Sequence, residues 1–185
     1  KTLFTHVGVV VRGEDLPDTY GAGVYVSECA EGVQLADPSG SQRSFPGGSY
    51  LVPLGPRVHA YNGLVYWVPR TPDARLTQKE RADVAQKAID RSGRPYPGRW
   101  AMIFGALVGW SVSPHHQCYQ HAGHVLNAAD VKNAWTTDFF RSPAAMDAAA
   151  RGDDPRYERA VVVHRLDDLE RGKKTSGHHV RFCQI

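Results

Sequence analysis

Cys118, His6 and Glu28 carry the side-chain types that covalent catalysis at a carbonyl requires. A thiol becomes a nucleophile when its thiolate is stabilised, and a helix N-terminus with an imidazole beside it does this. Ser113-Pro114 reads as a helix start, and Cys118, Ala122, Val125, Leu126 and Ala129 follow at helical spacing, which sets Cys118 in the first or second turn. His6 lies far upstream in an apolar strand, an acceptable separation because catalytic partners are neighbours in space rather than in sequence. Glu28 has the acceptor that would hold the other imidazole nitrogen, the part a third residue plays in a triad. Taken alone, a Cys or His in an apolar element is more often core filler or a satisfied buried histidine.

The elements that must position these residues follow from the pattern along the chain. Leu3 to Arg12 is short, β-branched and apolar on both faces, as a strand covered on two sides should be. Val24 to Glu28 alternates, with Val24, Val26 and Glu28 on one face, and Glu31-Gly32 then turns into Val33-Gln34-Leu35; this reads as a hairpin with Glu28 near its tip. Alternation turns Cys29 to the opposite face and into the core. Ser39 to Gly48 reads as loop and Gly63 to Val68 as a strand, so three to five strands precede the first strong helix. That helix spans Thr77 to Ser92, with a Thr77/Glu80 capping box and an apolar stripe of Val84, Ala85, Ala88 and Ile89, and it ends at Gly93 and Pro95. Ser142-Pro143 opens an Ala-rich helix, Arg159 to Leu166 reads as the last strand, and a flexible polar tail begins near residue 170. The expectation is a single α+β domain over residues 1–185.

With 185 residues and 42% apolar content, the chain is long enough to bury a core without a disulfide or metal staple. The net charge is +3 with the basic residues scattered, which speaks against nucleic acid as a partner. The longest apolar run, Ala101 to Trp110, is about half of the ~20 residues a spanning helix needs, so no transmembrane span is expected. Cys29, Cys118 and Cys183 are odd in number and widely spaced, so at least one thiol stays free. Lys1 in place of an initiator Met is what a processed or trimmed chain presents, and it leaves the compartment unassigned.

The order of these motifs resembles a known family. Thr5-His6-Val7-Gly8-Val9-Val10 is similar to the His-x-Gly-Ile/Val strand that opens the circularly permuted, NlpC-type branch of papain-like cysteine hydrolases, a branch that includes YiiX-like proteins and is related to lecithin retinol acyltransferase. Val26-Ser27-Glu28-Cys29-Ala30-Glu31-Gly32-Val33 resembles that family's strand ending in an acidic residue before a Gly-Val turn. Gly93-Arg94-Pro95-Tyr96 resembles its Gly-x-Pro-Tyr turn, and Cys118 followed by an apolar helix stands where its nucleophile stands. The resemblance runs from about Thr5 to Leu166. It implies a permuted papain-like fold, an antiparallel sheet or small barrel packed against the Cys-bearing helix, with Cys118 as nucleophile, His6 as base and Glu28 as orienting residue. It implies a thiol hydrolase without cofactor, acting on a peptide, muropeptide or acyl-lipid substrate by hydrolysis or acyl transfer. Tyr119 stands where family members often have Ser, a departure that bears on substrate preference.

Tyr96, Tyr119 and Gln117 are the candidate substrate-binding residues, with Gln117 and His116 also candidates for a second oxyanion donor beside the Cys118 N–H. Trp100, Phe104 and Trp110 are nearby aromatics for packing or an apolar groove. A competing reading takes Cys118, His121 and His124, at three-residue steps, as metal ligands. No second Cys/His cluster and no His-Glu-x-x-His pattern accompanies them, so no metal is assigned. A third reading is a binding module that keeps the fold without the chemistry.

Overall fold

The computed structural model describes residues 6–36, 39–61, 64–96, 118–129, 142–164 and 179–184. The described elements are β1 (His6–Arg12), β2 (Val24–Ala30), β3 (Val33–Ala36), β4 (Gln42–Phe45), β5 (Gly48–Pro53), α1 (Leu54–His59), β6 (Leu64–Val68), α2 (Gln78–Arg91), α3 (Cys118–Leu126), α4 (Ser142–Arg151), β7 (Val161–His164) and β8 (His179–Gln184). Six strands form one sheet in the order β5-β2-β1-β8-β6-β7, and β3 and β4 form a separate two-stranded ribbon. This is a mixed α+β arrangement of sheet packed against helices.

The sheet is apolar on both faces because β1 is. Val7, Val9 and Val11 join Tyr25 of β2 against Val84, Ala85 and Ala88 of α2, Ala122, Val125 and Leu126 of α3, and Met146 and Ala149 of α4. Val10, on the other face, packs with Val26, Val52 and Val65 beneath Val33 of β3 and Leu54 and Val58 of α1. Helices α2 to α4 therefore cover one face, and α1 with the β3–β4 ribbon covers the other. The two-sided burial expected of β1 is observed.

Helix α2 starts and stops where its sequence says. Thr77 accepts from the Glu80 N–H while the Glu80 side chain accepts from the Thr77 N–H, a reciprocal capping box, and Ser92 is its C-cap. Gly93 follows with φ of +80°, a conformation costly for any residue with a Cβ.

Four expectations need correction. β2 does not form a hairpin with β3; it lies between β1 and β5, antiparallel to both, and β3 pairs with β4 instead. The Glu31-Gly32 turn therefore passes the chain from the sheet to the ribbon. Part of the expected Ser39–Gly48 loop is strand β4, whose largely polar Gln42-Arg43-Ser44 carries no alternating apolar signal because it is exposed. With β4 and β5 added to the strands expected, six strands rather than three to five precede α2. Finally, β7 is not the last strand. β8, in the segment expected to be a polar tail, runs parallel to both β1 and β6 and joins them, so the sheet is mixed rather than wholly antiparallel.

Since β8 provides the backbone pairing between β1 and β6, a chain ending at residue 178 should lose its cooperative unfolding transition, read by thermal melts followed by near-ultraviolet circular dichroism. A truncated chain that melts as the full one does would show that the sheet closes without β8.

Candidate active site

Two adjacent residues of β2 set the geometry. Glu28 stands directly opposite Gly8 of β1, which contributes no side chain, so the carboxylate has room to reach diagonally toward His6 at the start of the same strand. His6 Nε2–H donates to Glu28 Oε2 at 2.7 Å. Ser27, on the opposite face by alternation, hydrogen-bonds through Oγ to Nε2 of the fully buried His121 at 2.8 Å. That bond fixes α3 to β2 one turn beyond its first residue, Cys118. The helix origin and the strand start thus meet at one end of the sheet, where His6 is hydrogen-bonded to both Cys118 and Glu28. With Nε2 taken by the carboxylate, Nδ1 is the ring nitrogen left to face the Cys118 Sγ.

Glu28 is 0% exposed, and a buried carboxylate of this kind requires a partner. It has two. Arg57 of α1, itself 7% exposed, donates from Nε to Oε1 and from Nη2 to Oε2, the latter at 3.2 Å. The Tyr61 ring lies 5.6 Å from the Arg57 guanidinium carbon and covers it. The partly buried imidazole and the guanidinium pull the Glu28 pKa down to about 2 against the opposing effect of burial. For His6, burial favours the neutral ring, and the hydrogen bonds and charges of Cys118 and Glu28 outweigh it, raising the pKa to about 9. Cys29 is different: burial pushes its thiol up to about 11, and it stays a core residue as its strand position implies.

His6, Arg57 and Cys118 line a cleft of about 660 Å³. Its far wall comes from the ribbon, with Val33, Gln34, Ser44 and Phe45, and its rim from Glu31, Tyr61 and Tyr96. Tyr96 reaches this rim because the chain after α2 runs tightly along the start of β5: Ser49 N–H donates to Arg94 O and Tyr96 N–H to Gly47 O. A Cβ on Gly48 would lie 2.8 Å from Arg94 O, so that approach requires glycine. Burial raises the Tyr96 pKa and keeps its phenol protonated, and the nearby Glu31 carboxylate acts in the same direction.

The three residues expected to do the chemistry are therefore brought together. Tyr96 is in the cleft, as expected of a substrate-binding residue. Tyr119 is not: the helical step from Cys118 turns it into the core beneath α3. Gln117, His116, Trp100, Phe104 and Trp110 lie outside the described residues. The metal reading required Cys118, His121 and His124 on one face, but Cys118 faces His6 and His121 faces Ser27. Among the described residues no three His, Cys, Asp or Glu side chains converge as metal ligands. His124 is pushed down to about 4 by burial and by the charges of Arg91, Lys87 and Arg94. Arg57 was not anticipated from the sequence. Its helix, Leu-Gly-Pro-Arg-Val-His, is too short for a readable stripe, and a lone Arg beside Pro reads as surface.

Comparison of the chain with protein-family models, with curated proteins and with solved structures yields no match.

The shifted groups fix a pH dependence of stability. Folding holds Glu28 as an anion, so its contribution is complete above pH 4.5 and is lost as the pH falls toward 2. Folding holds His6 as a cation, so its contribution is complete below pH 6.5 and is lost as the pH rises through 9. The two shifts share the His6–Glu28 bond, with Cys118 also raising His6 and Arg57 also lowering Glu28, and they are not summed; a displacement of this size corresponds to roughly 3 kcal/mol. Urea-unfolding stability should peak between these limits, and Glu28→Gln should flatten both limbs. Limbs of unchanged size in that variant would disconnect His6 from Glu28.

Proposed function

We propose that the protein is a thiol hydrolase of permuted papain-like architecture, cleaving an amide bond in a peptide or muropeptide through an acyl-enzyme. The observation that carries this reading is the imidazole of His6, hydrogen-bonded to the Cys118 thiol and to a buried carboxylate at the wall of an open cleft. The chain order His, Glu, Cys matches a papain-like core with its sheet segment placed first. The packing of the helix that carries Cys118 across the sheet also supports it.

In this mechanism the proton shared by Cys118 and His6 rests on the imidazole, and the thiolate attacks the substrate carbonyl carbon. The carbonyl oxygen becomes an oxyanion facing the Cys118 N–H at the start of α3, where backbone donors and the helix dipole favour negative charge. His6 returns the proton to the departing amine, which leaves a thioester. Water, deprotonated by His6, attacks that thioester and releases the acid and the thiol. Glu28 holds the ring in the tautomer and orientation these transfers need. Glu31, Gln34, Ser44 and Tyr61 offer hydrogen-bonding groups for a peptide along the cleft, beside apolar lining from Val33 and Phe45.

Alkylation of Cys118 by a small haloacetamide from pH 4 to 9, followed by mass spectrometry, tests this reading. The parent should react readily below pH 7, and His6→Ala should lose roughly a hundredfold in rate there. The parent should also cleave members of a peptide and muropeptide panel, and Cys118→Ser should not. A parent whose rate rises only near the ordinary thiol pKa of about 8.5, indifferent to His6→Ala, overturns the proposal.

A further inference from the structure

We propose that Arg57 is a positioning residue that fixes Glu28 as an anion through a two-pronged hydrogen bond and so keeps the catalytic proton on His6 rather than on the carboxylate. This rests on the thiol chemistry proposed above and adds a fourth member to it.

A buried imidazolium joined to a buried carboxylate has an alternative form. The proton of Nε2 can cross the 2.7 Å bond to Glu28 Oε2, leaving a neutral imidazole and a carboxylic acid. Burial favours that neutral pair, because it penalises charge on both partners. Such a ring could still accept a proton from Cys118, but the stabilisation of the resulting imidazolium by an adjacent anion would be gone.

Arg57 reverses the balance. Its Nε and Nη2 bond to the two oxygens of the same carboxylate, so protonating Glu28 would leave a buried guanidinium without its counter-charge. The other groups around the carboxylate cannot take this part. On β1 the facing residue is Gly8; on β5 it is Tyr50, whose hydroxyl donates to Pro46 O. Cys118 of α3 meets the carboxylate only through His6, and Cys29 lies on the opposite face of β2. Among the described residues the charged groups hydrogen-bonded to Glu28 are His6 and Arg57.

Arg57 lines the cleft, which raises the alternative that it binds substrate. Two of its three nitrogens are committed to Glu28, and Tyr61 stacks over its guanidinium, so the fork is held by the protein before any substrate arrives. An arginine reserved for a ligand carboxylate would keep that fork open.

The test reads the charge of the His6 ring directly. Ring-labelled protein is examined by ¹⁵N NMR at pH 7 in the parent and in Arg57→Met, Arg57→Gln and Arg57→Lys, with haloacetamide alkylation of Cys118 and thermal unfolding measured on the same samples. The parent should show an imidazolium. Arg57→Met should show a neutral ring in a folded protein, with alkylation slowed roughly tenfold or more. Arg57→Lys, which keeps the charge, should restore the imidazolium and most of the rate. A loss of packing alone would lower stability without moving the ring to its neutral form. Arg57→Gln, a neutral donor, carries the same expectation should Arg57→Met not fold. A charged ring and parental alkylation in a folded Met or Gln variant overturn the role of Arg57 and leave the thiol reading standing. A neutral ring in the parent, with an ordinary thiol profile, overturns both.

Discussion

A carboxylate with no exposure to water is the constraint around which the rest of this structure is organised. Glu28 can remain ionised in the interior only if opposite charge meets it there, and Arg57 and His6 do so from two different elements. Satisfying one residue of β2 therefore ties together α1, β1 and, through the His6 ring, the first residue of α3. The ties are directional. A guanidinium fork and a ring N–H have preferred geometries, so the imidazole plane is set by the same contacts that neutralise the carboxylate.

Neighbouring residues of β2 extend this control to both sides of the sheet. Glu28 orients the imidazole on one face, and Ser27 holds His121, and with it α3, on the other. Cys118 and His6 are thereby both placed from consecutive residues of one internal strand, whose spacing and alternation are fixed by the backbone. The apolar layers above and below β1 make this placement rigid, with Val9 packed under the helices and Val10 under α1 and the ribbon. The cleft opens where that packing ends, between the end of the sheet and the ribbon.

Much of this was legible in the sequence, and for identifiable reasons. β1 announced itself because a strand buried on both faces must be continuously apolar, and α2 because its capping box and stripe are local signals. Cys118, His6 and Glu28 were picked out by residue type and motif order, and Cys29 was assigned to the core by strand alternation alone. What stayed hidden was non-local. β8, His179–Gln184, carries Arg181 and Gln184 amid short apolar steps, and its place between β1 and β6 depends on parallel pairing that leaves no sequence mark. β2 and β3 are consecutive and joined by a tight turn, yet β5 takes the position a hairpin partner would hold. Arg57 was missed because a buried arginine looks like a surface one until its carboxylate is known. Tyr119 packs in the core beside Cys118 rather than along the cleft, because adjacency in sequence on a helix is divergence in space.

The Arg57–Glu28 pair is difficult to justify by stability. Desolvating two charges costs several kcal/mol per ion, the mutual attraction repays this only with good geometry, and apolar residues of similar volume commonly do as well or better in such positions. Apolar side chains pack both faces of the sheet besides this ionic centre. The arrangement has a clearer rationale as preorganisation. A fixed anion beside an imidazole stabilises positive charge on that ring when it forms, and because the dipoles and charges are already aligned, little of the surroundings must move at that moment. Placing this centre on strands and helices rather than on loops is what lets a carboxylate so costly to bury remain in one orientation.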